Sequence, residues 1–416
     1  MHIFRAFSTR FRRICAVCAV LAGACVTLSR GAVPSALFQY NVLEVMNSQP
    51  GQTPSVRFSV TNPTNGNAPY DITVHDSFKT VNGARLFIQI GWDTRDYHNT
   101  GSQSETLNSP KNAAQPIPIN ALAFPQKHYI GGVWDGSFVV TASRPIPATA
   151  QGSGNAAMEG RLVELVGGVW VQVAVRSAFK FFAITDPSPV PRRAVVDVNK
   201  CKNCHGSVAP PLVVHGNNRA EEVMVCVGCH NPNATDIAYR TSGKETPIDF
   251  KNMIHAIHAG RMRHNPEVII GFGGSVNDFS YVDFPASLAD CQRCHIPGAY
   301  SLPLGKNVLG TTVDTRSVLD AGGKVVDGDP TNDLNITPTA AVCSACHDGN
   351  EARRHMVEKG ASFGALQQSI DSGRVRERCA TCHGAGKEED VVKVHAEEAH
   401  ESSGEHEVHE EERDDH

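Results

Sequence analysis

The sequence predicts a multidomain chain with two unlike halves. An all-β sandwich or barrel covers residues 37–185, and a mainly α and irregular domain covers residues 196–395. Three observations predict this. Residues 37–185 alternate apolar and polar side chains and contain no cysteine. Residues 196–395 carry ten of the chain's thirteen cysteines, arranged as five pairs. The 416 residues include only three Trp, seven Tyr and seventeen Phe, and Gly and Pro are frequent in the second half, so something other than side chains must fill its core.

The chain opens with Arg5, Arg10, Arg12 and Arg13, then an uncharged run, "ICAVCAVLAGACVTLS", at 14–29. As a helix this run would span about 24 Å, short of the roughly 30 Å hydrocarbon core of a bilayer. Residues 1–30 are therefore expected to be a cleaved export signal rather than a permanent span. "LAGAC" is similar to a lipoprotein signal ending at Cys25, but Ala22 stands where that pattern has a larger aliphatic residue, which leaves lipid anchoring open. "CAVC" at 15–18 has no histidine after it and is assigned no cofactor.

Within 37–185, "SVRFSVTN" and "RLFIQIGW" alternate as strands do, and "RLVELV" and "VWVQVAV" flank Gly167 and Gly168 as a hairpin. His75, His98 and His128 read as surface or loop residues. In "DPSPVPRR", 186–193, prolines at alternate positions predict an extended, semi-rigid linker over 186–195. Residues 385–416 hold thirteen acidic and three basic side chains, so the net charge of -5 comes from this end. Residues 396–416 read as a disordered acidic, His-rich tail. No basic stripe marks a nucleic-acid surface, and nothing else is apolar enough to cross a membrane. Peripheral membrane association stays open.

The five cysteine pairs are CKNCH from Cys201 to His205, CVGCH from Cys226 to His230, CQRCH from Cys291 to His295, CSACH from Cys343 to His347 and CATCH from Cys379 to His383. In C-x-x-C-H the two cysteines, Cys201 with Cys204, Cys226 with Cys229, Cys291 with Cys294, Cys343 with Cys346 and Cys379 with Cys382, can add to the vinyl groups of one haem. The adjacent histidine then reaches its iron. Zinc also uses paired C-x-x-C but has no need of a histidine after every pair. The sequence thus predicts five covalently bound c-type haems, roughly one per forty residues, forming the core that the side chains do not supply. The uneven spacings of 25, 65, 52 and 36 residues between first cysteines argue against a solenoid.

Each iron needs a sixth ligand. Outside the motifs and the tail this region offers His215, His255, His258, His264, His355 and His395. Met224, Met253, Met262 and Met356 are alternatives, but there are enough histidines to make bis-histidine ligation the simpler account. "TPIDFKNMIHAIHAGRMRH" at 246–264 predicts a short helix capped by Thr246, with Pro247 in the first turn and Gly260 at its end. His255 and His258, about 60° apart on it, would serve two neighbouring haems. His264, past Gly260, is expected to be the unused one.

"RRAVVDVNKCKNCHG", "LVVHGNNRAEEVMVCVGCHNPNATD", "FKNMIHAIHAG", "FPASLADCQRCHIPGAYSLP", "VCSACHDGNEARRHM" and "CATCHGAGKEEDVVKVH" resemble the OmcA/MtrC family of outer-membrane multihaem c-type cytochromes. The resemblance implies bis-histidine haems with His215, His255, His258, His355 and His395 distal, and a Greek-key split barrel ahead of a haem-cored domain. It also implies electron transfer at or beyond the outer membrane. Well-known members are decahaem proteins built from two such halves; this chain has one. It also lacks the cysteine pair that some members carry in a β-domain.

The function expected is an electron conduit through five bis-histidine haems. Its expected partners are other multihaem cytochromes or an outer-membrane porin-cytochrome conduit, with ferric minerals, soluble metals or flavins as acceptors. Pairing of two chains and terminal metal reduction remain open. A multihaem reductase, for example of nitrite, is disfavoured because such enzymes typically carry C-x-x-C-K at the open iron and every motif here ends in histidine. A filament subunit would need histidines donated between chains, and chain-internal ones suffice.

Overall fold

A computed structural model describes residues 33–97, 99, 115–241, 244–319, 325–326, 329 and 331–396. The expected export signal with Cys25, His98 and the acidic tail beyond residue 396 lie outside the described residues.

Among the described residues, ten strands form between residues 39 and 183. They are β1 Gln39–Met46, β2 Ser55–Asn62, β3 Ala68–Pro69, β4 Arg85–Trp92, β5 Ile117–Asn120, β6 Gln126–Ile130, β7 Val133–Thr141, β8 Ser153–Val166, β9 Val169–Ala174 and β10 Ala178–Ala183. They make two antiparallel sheets. One runs β1-β2-β7-β6 with β3 beside β2, and the other runs β10-β8-β4-β5 with β9 beside β8. The alternation in the sequence places the core. Leu86, Ile88 and Ile90 of β4 and Val56, Phe58 and Val60 of β2 are all fully buried in one cluster. Burying each such side chain contributes about 1.5–3 kcal/mol. The β8–β9 hairpin turns at Gly167 and Gly168, with φ of 58° and 83°, the pair of left-handed residues that a tight two-residue turn requires.

Strand β8 departs from simple alternation. Residues 153–160 are buried without a break, because one face packs into the sandwich and the other meets the second half of the chain. Residues 186–195 form bends and irregular backbone, and this segment is strapped down rather than free. Thr94 Oγ1 donates to Val190 O at 2.7 Å, and Ser153 Oγ donates to Asp186 at 2.7 Å. Asp96, 1% exposed, accepts from Arg192 at 3.2 Å, from Arg193 at 3.0 Å and from the backbone N–H of Leu309 at 2.9 Å. One carboxylate therefore ties the sandwich, the linker and the second half together.

Residues 196–396 form short elements. The helices are α1 Val198–Cys201, α2 Val223–Cys229, α3 Phe250–Ala259, α4 Pro338–Cys343, α5 Asn350–Glu358, α6 Gln367–Asp371 and α7 Ala380–His383. A two-stranded hairpin, β11 Val213–Val214 with β12 Arg219–Ala220, lies between α1 and α2. The apolar cluster described here is small, built on Ile336, Ala340, Ala341, Met356 and Ala361. Helix α3 begins three residues later than its sequence suggests. Thr246 is held elsewhere, its N–H donating to Asp236 at 2.8 Å and its hydroxyl to Val268 O at 2.8 Å, and Asp249 takes the N-cap position. Gly260 does end the helix: its φ is 36°, and a Cβ there would lie 2.4 Å from Val282 O.

Candidate functional site

All five C-x-x-C-H segments adopt the same turn. The histidine N–H donates to the carbonyl of the first cysteine at 3.0 Å in Cys201–His205, 2.9 Å in Cys226–His230, 2.9 Å in Cys291–His295, 2.8 Å in Cys343–His347 and 2.9 Å in Cys379–His383. This one-turn closure puts both sulfurs and the imidazole on the same side of the backbone. It arises at the C-terminal end of α1, α2 and α4, in a 3-10 turn at Cys291–Arg293, and at the start of α7.

Each motif histidine faces one of the five expected distal histidines. Ring centroids are 6.1 Å apart for His205 and His258, 5.9 Å for His230 and His215, and 5.8 Å for His295 and His255. They are 6.1 Å apart for His347 and His395 and for His383 and His355. The spacing is informative. A metal about 2.0 Å from each imidazole nitrogen puts trans ring centroids about 6.3 Å apart, whereas a tetrahedral pair would bring them to about 5.1 Å. The observed separations fit a metal between two trans imidazoles, which is what a haem iron presents.

Hydrogen bonds orient several of these rings. Nδ1 of His205 bonds Pro210 O at 2.8 Å, His230 bonds Ile248 O at 2.9 Å, His255 bonds Lys251 O at 2.6 Å and His258 bonds Ile254 O at 2.8 Å. His383 bonds Glu389 O at 3.0 Å and His395 bonds Val391 O at 2.8 Å. A carbonyl partner fixes the proton on Nδ1 and leaves Nε2 to a metal. On α3 the i−4 carbonyls do this for both histidines, so helix geometry itself aims the pair.

Burial keeps the rings neutral. It pushes His255, His258 and His230 down, His295 to about 4, and His215 to about 3 with help from Arg219 and His230. Burial also pushes thiols up, Cys226 and Cys343 to about 12 and Cys229 and Cys346 to about 11. Cys201 rises through its hydrogen bond with Cys294 and through burial. His264 is not among the five pairs. Its N–H donates to Asp348 at 3.0 Å, and its ring lines a cleft of about 640 Å³ beside Cys346 and His347. Away from the site, His75 and His128 are structural: His75 Nδ1 caps a 3-10 turn by accepting from Ser77 N at 3.2 Å, and His128 bonds Asp135 at 2.7 Å.

Sequence reasoning missed the residues that support the second motif from the β half. Asn99 Nδ2 donates to Gly228 O at 2.6 Å, Asn155 Nδ2 to Met224 O at 3.0 Å and Gln115 Nε2 to Cys229 O at 3.0 Å. The available signal was the polar pair Asn155 and Glu159 on the face of β8 opposite the core residues Ala156 and Met158.

Residues 193–396 match the family model of outer membrane cytochrome MtrC/MtrF-like domains II/IV. The chain belongs to the OmcA/MtrC family. Among solved structures, this OmcA/MtrC-family chain is similar to the outer membrane decaheme cytochrome OmcA. The identity is 20%, over 85% of this chain and 47% of that one, with a TM-score of 0.42. It is also similar to MtrC from Shewanella baltica OS185, with 15% identity over 83% of this chain and 51% of that one and a TM-score of 0.48. The chain thus spans about half the length of the solved relatives it matches. No curated protein matches it. Among the described residues, no helix is long and apolar enough to cross a membrane.

Proposed function

We propose that this protein is a pentahaem c-type cytochrome that conducts electrons in extracellular electron transfer at the outer membrane. The observation that carries the reading is the set of five histidine pairs, each joining one motif histidine to one distal histidine at the spacing a trans-ligated iron requires. Haem at each site supplies reversible one-electron Fe(III)/Fe(II) chemistry. In this reading Cys201 with Cys204, Cys226 with Cys229, Cys291 with Cys294, Cys343 with Cys346 and Cys379 with Cys382 hold the groups covalently. His205, His230, His295, His347 and His383 are the proximal ligands, and His258, His215, His255, His395 and His355 are distal in the same order. Residues 37–185 form the β-domain, 186–195 the linker and 196–395 the haem domain.

Contacts between motifs support a succession fifth, fourth, third, first. Cys343 feels Cys379, and Glu377 beside the fifth motif accepts from Thr339 N at 2.9 Å and Ala340 N at 2.8 Å at the start of α4. Cys346 feels Cys291. Asp197 N donates to Cys294 O at 3.0 Å, and Lys200 donates to His295 O at 2.7 Å. The second motif joins beside the first, through Lys202 and Glu221 at 2.7 Å and through Phe250 N donating to His230 O at 3.0 Å. Other multihaem cytochromes or a porin-cytochrome conduit are the fitting partners, and ferric minerals or flavins the fitting acceptors. Intact-mass analysis of the exported protein tests the reading. Five haem additions are expected, with peptide masses placing one on each cysteine pair, and a protein that carries none would overturn it.

A further inference from the structure

Strand β8 of the sandwich holds the hairpin that carries His215. Gly160 N donates to Asn218 O at 2.7 Å, and Arg161 Nη1 donates to Gly216 O at 2.7 Å. Between them Glu159, 3% exposed, forms a two-bonded ion pair with Arg219 of β12. Arg219 Nη2 donates to Glu159 Oε1 at 2.8 Å, Arg219 Nε donates to Oε2, and Gln89 Nε2 adds a third bond at 3.0 Å. The hairpin needs such holding. His215, Gly216 and Asn217 run through left-handed backbone, with φ of 54°, 65° and 66°, a conformation that a histidine keeps only when its surroundings fix it. Asn218 Nδ2 closes the tip by donating to His215 O at 2.6 Å.

The face of β8 that carries Glu159 also meets the second motif: Asn155 Nδ2 donates to Met224 O at 3.0 Å in α2, the helix that contains Cys226 and Cys229, so the pair sits beside that motif as well as beside the His215 hairpin. A cation beside an iron favours the reduced state, an anion favours the oxidised state, and low dielectric strengthens both effects.

We propose that the Glu159–Arg219 pair sets the reduction potential of the iron held between His230 and His215, and that Arg161 positions His215 for it. One of the five sites is thereby built across both halves of the chain. The proposal rests on reading Cys226–His230 as a haem-binding motif. Because the two charges largely cancel, removing either one leaves the other uncompensated, and the two removals act in opposite directions. Mere loosening of the hairpin would not produce that opposition.

The test is a spectroelectrochemical titration of the full-length, haem-loaded protein and of Glu159→Gln and Arg219→Gln, with peptide mass analysis of the Cys226–Cys229 attachment. Glu159→Gln is expected to raise one of the five potentials and Arg219→Gln to lower the same one. Each shift should reach at least tenfold in the equilibrium, or 59 mV for one electron, with the other four unmoved. Shifts of the same sign, or none, with haem attached at Cys226 and Cys229 would overturn the role of the pair. Absence of haem from those cysteines in the unmodified protein would instead sink the underlying reading. Arg161→Ala is independent of both charges. It is expected to convert one iron in five to a high-spin EPR signal as His215 is released, and five retained low-spin irons would overturn the positioning role.

Discussion

Asp96→Ala is the substitution that bears most on how the two halves are joined. The carboxylate is 1% exposed and receives Arg192, Arg193 and the Leu309 N–H. Removing it leaves the Arg192 side chain, 11% exposed, without its anion, and leaves a buried N–H without an acceptor. Breaking a buried pair in this way costs about 3–5 kcal/mol, because the surviving charge stays desolvated. That should lower the thermal midpoint of the haem-loaded protein by several degrees. It should also expose the linker at 186–193 to proteolysis. The matched control is Asp283→Ala, which removes an ion pair with Arg261 whose side chains are 66% and 73% exposed, and an exposed pair contributes at most about 1 kcal/mol. Circular dichroism melts and timed proteolysis of the two variants read the difference. If Asp96→Ala melts within the margin of Asp283→Ala and its linker is cut no faster, the clamp does not join the halves.

His258→Met should leave five covalent haems and raise one potential, because bis-histidine ligation favours lower values than His/Met; voltammetry with intact mass checks both. Glu267 is pushed up to about 7 by burial, against the pull of Arg263, from a value near 4.5. The folded state therefore holds a proton that the unfolded chain has lost, and stability should fall as pH rises from about 4.5 to about 7. Glu267→Gln should flatten that slope by roughly 2–3 kcal/mol in urea titrations across the window. Leu86→Ala, in the sandwich core, should cost about 2–5 kcal/mol and lower the urea midpoint without changing which cysteines carry haem.

What the sequence made legible follows from how local each signal is. Alternation located β2 and β4 to the residue, and the Gly167–Gly168 turn followed from its two glycines. The five motifs announced themselves because each is written in five consecutive residues. The histidines that face the motif histidines are all among the six that counting offers, but counting does not give their pairing. His215 precedes its partner His230 by 15 residues, whereas His205 waits for His258 on a distant helix, and no local pattern encodes which loop returns to which motif. The start of α3 was misread for a related reason: Thr246 is a good cap by type, yet Asp236 and Val268, far along the chain, had already taken its N–H and hydroxyl. The Glu159–Arg219 pair and the Asp96 clamp were invisible because each joins segments that only the tertiary fold brings together.

Low-temperature EPR with near-infrared magnetic circular dichroism on the fully loaded, oxidised protein tests the central claim most directly. Five low-spin bis-histidine irons are predicted, with signals set by the angle between the ring planes of each pair. The pairs His205–His258 and His383–His355, with ring planes 87° and 88° apart, should give strongly anisotropic signals. His295–His255, at 7°, should give a rhombic one. A stoichiometric high-spin iron, or a methionine charge-transfer band, would contradict the account.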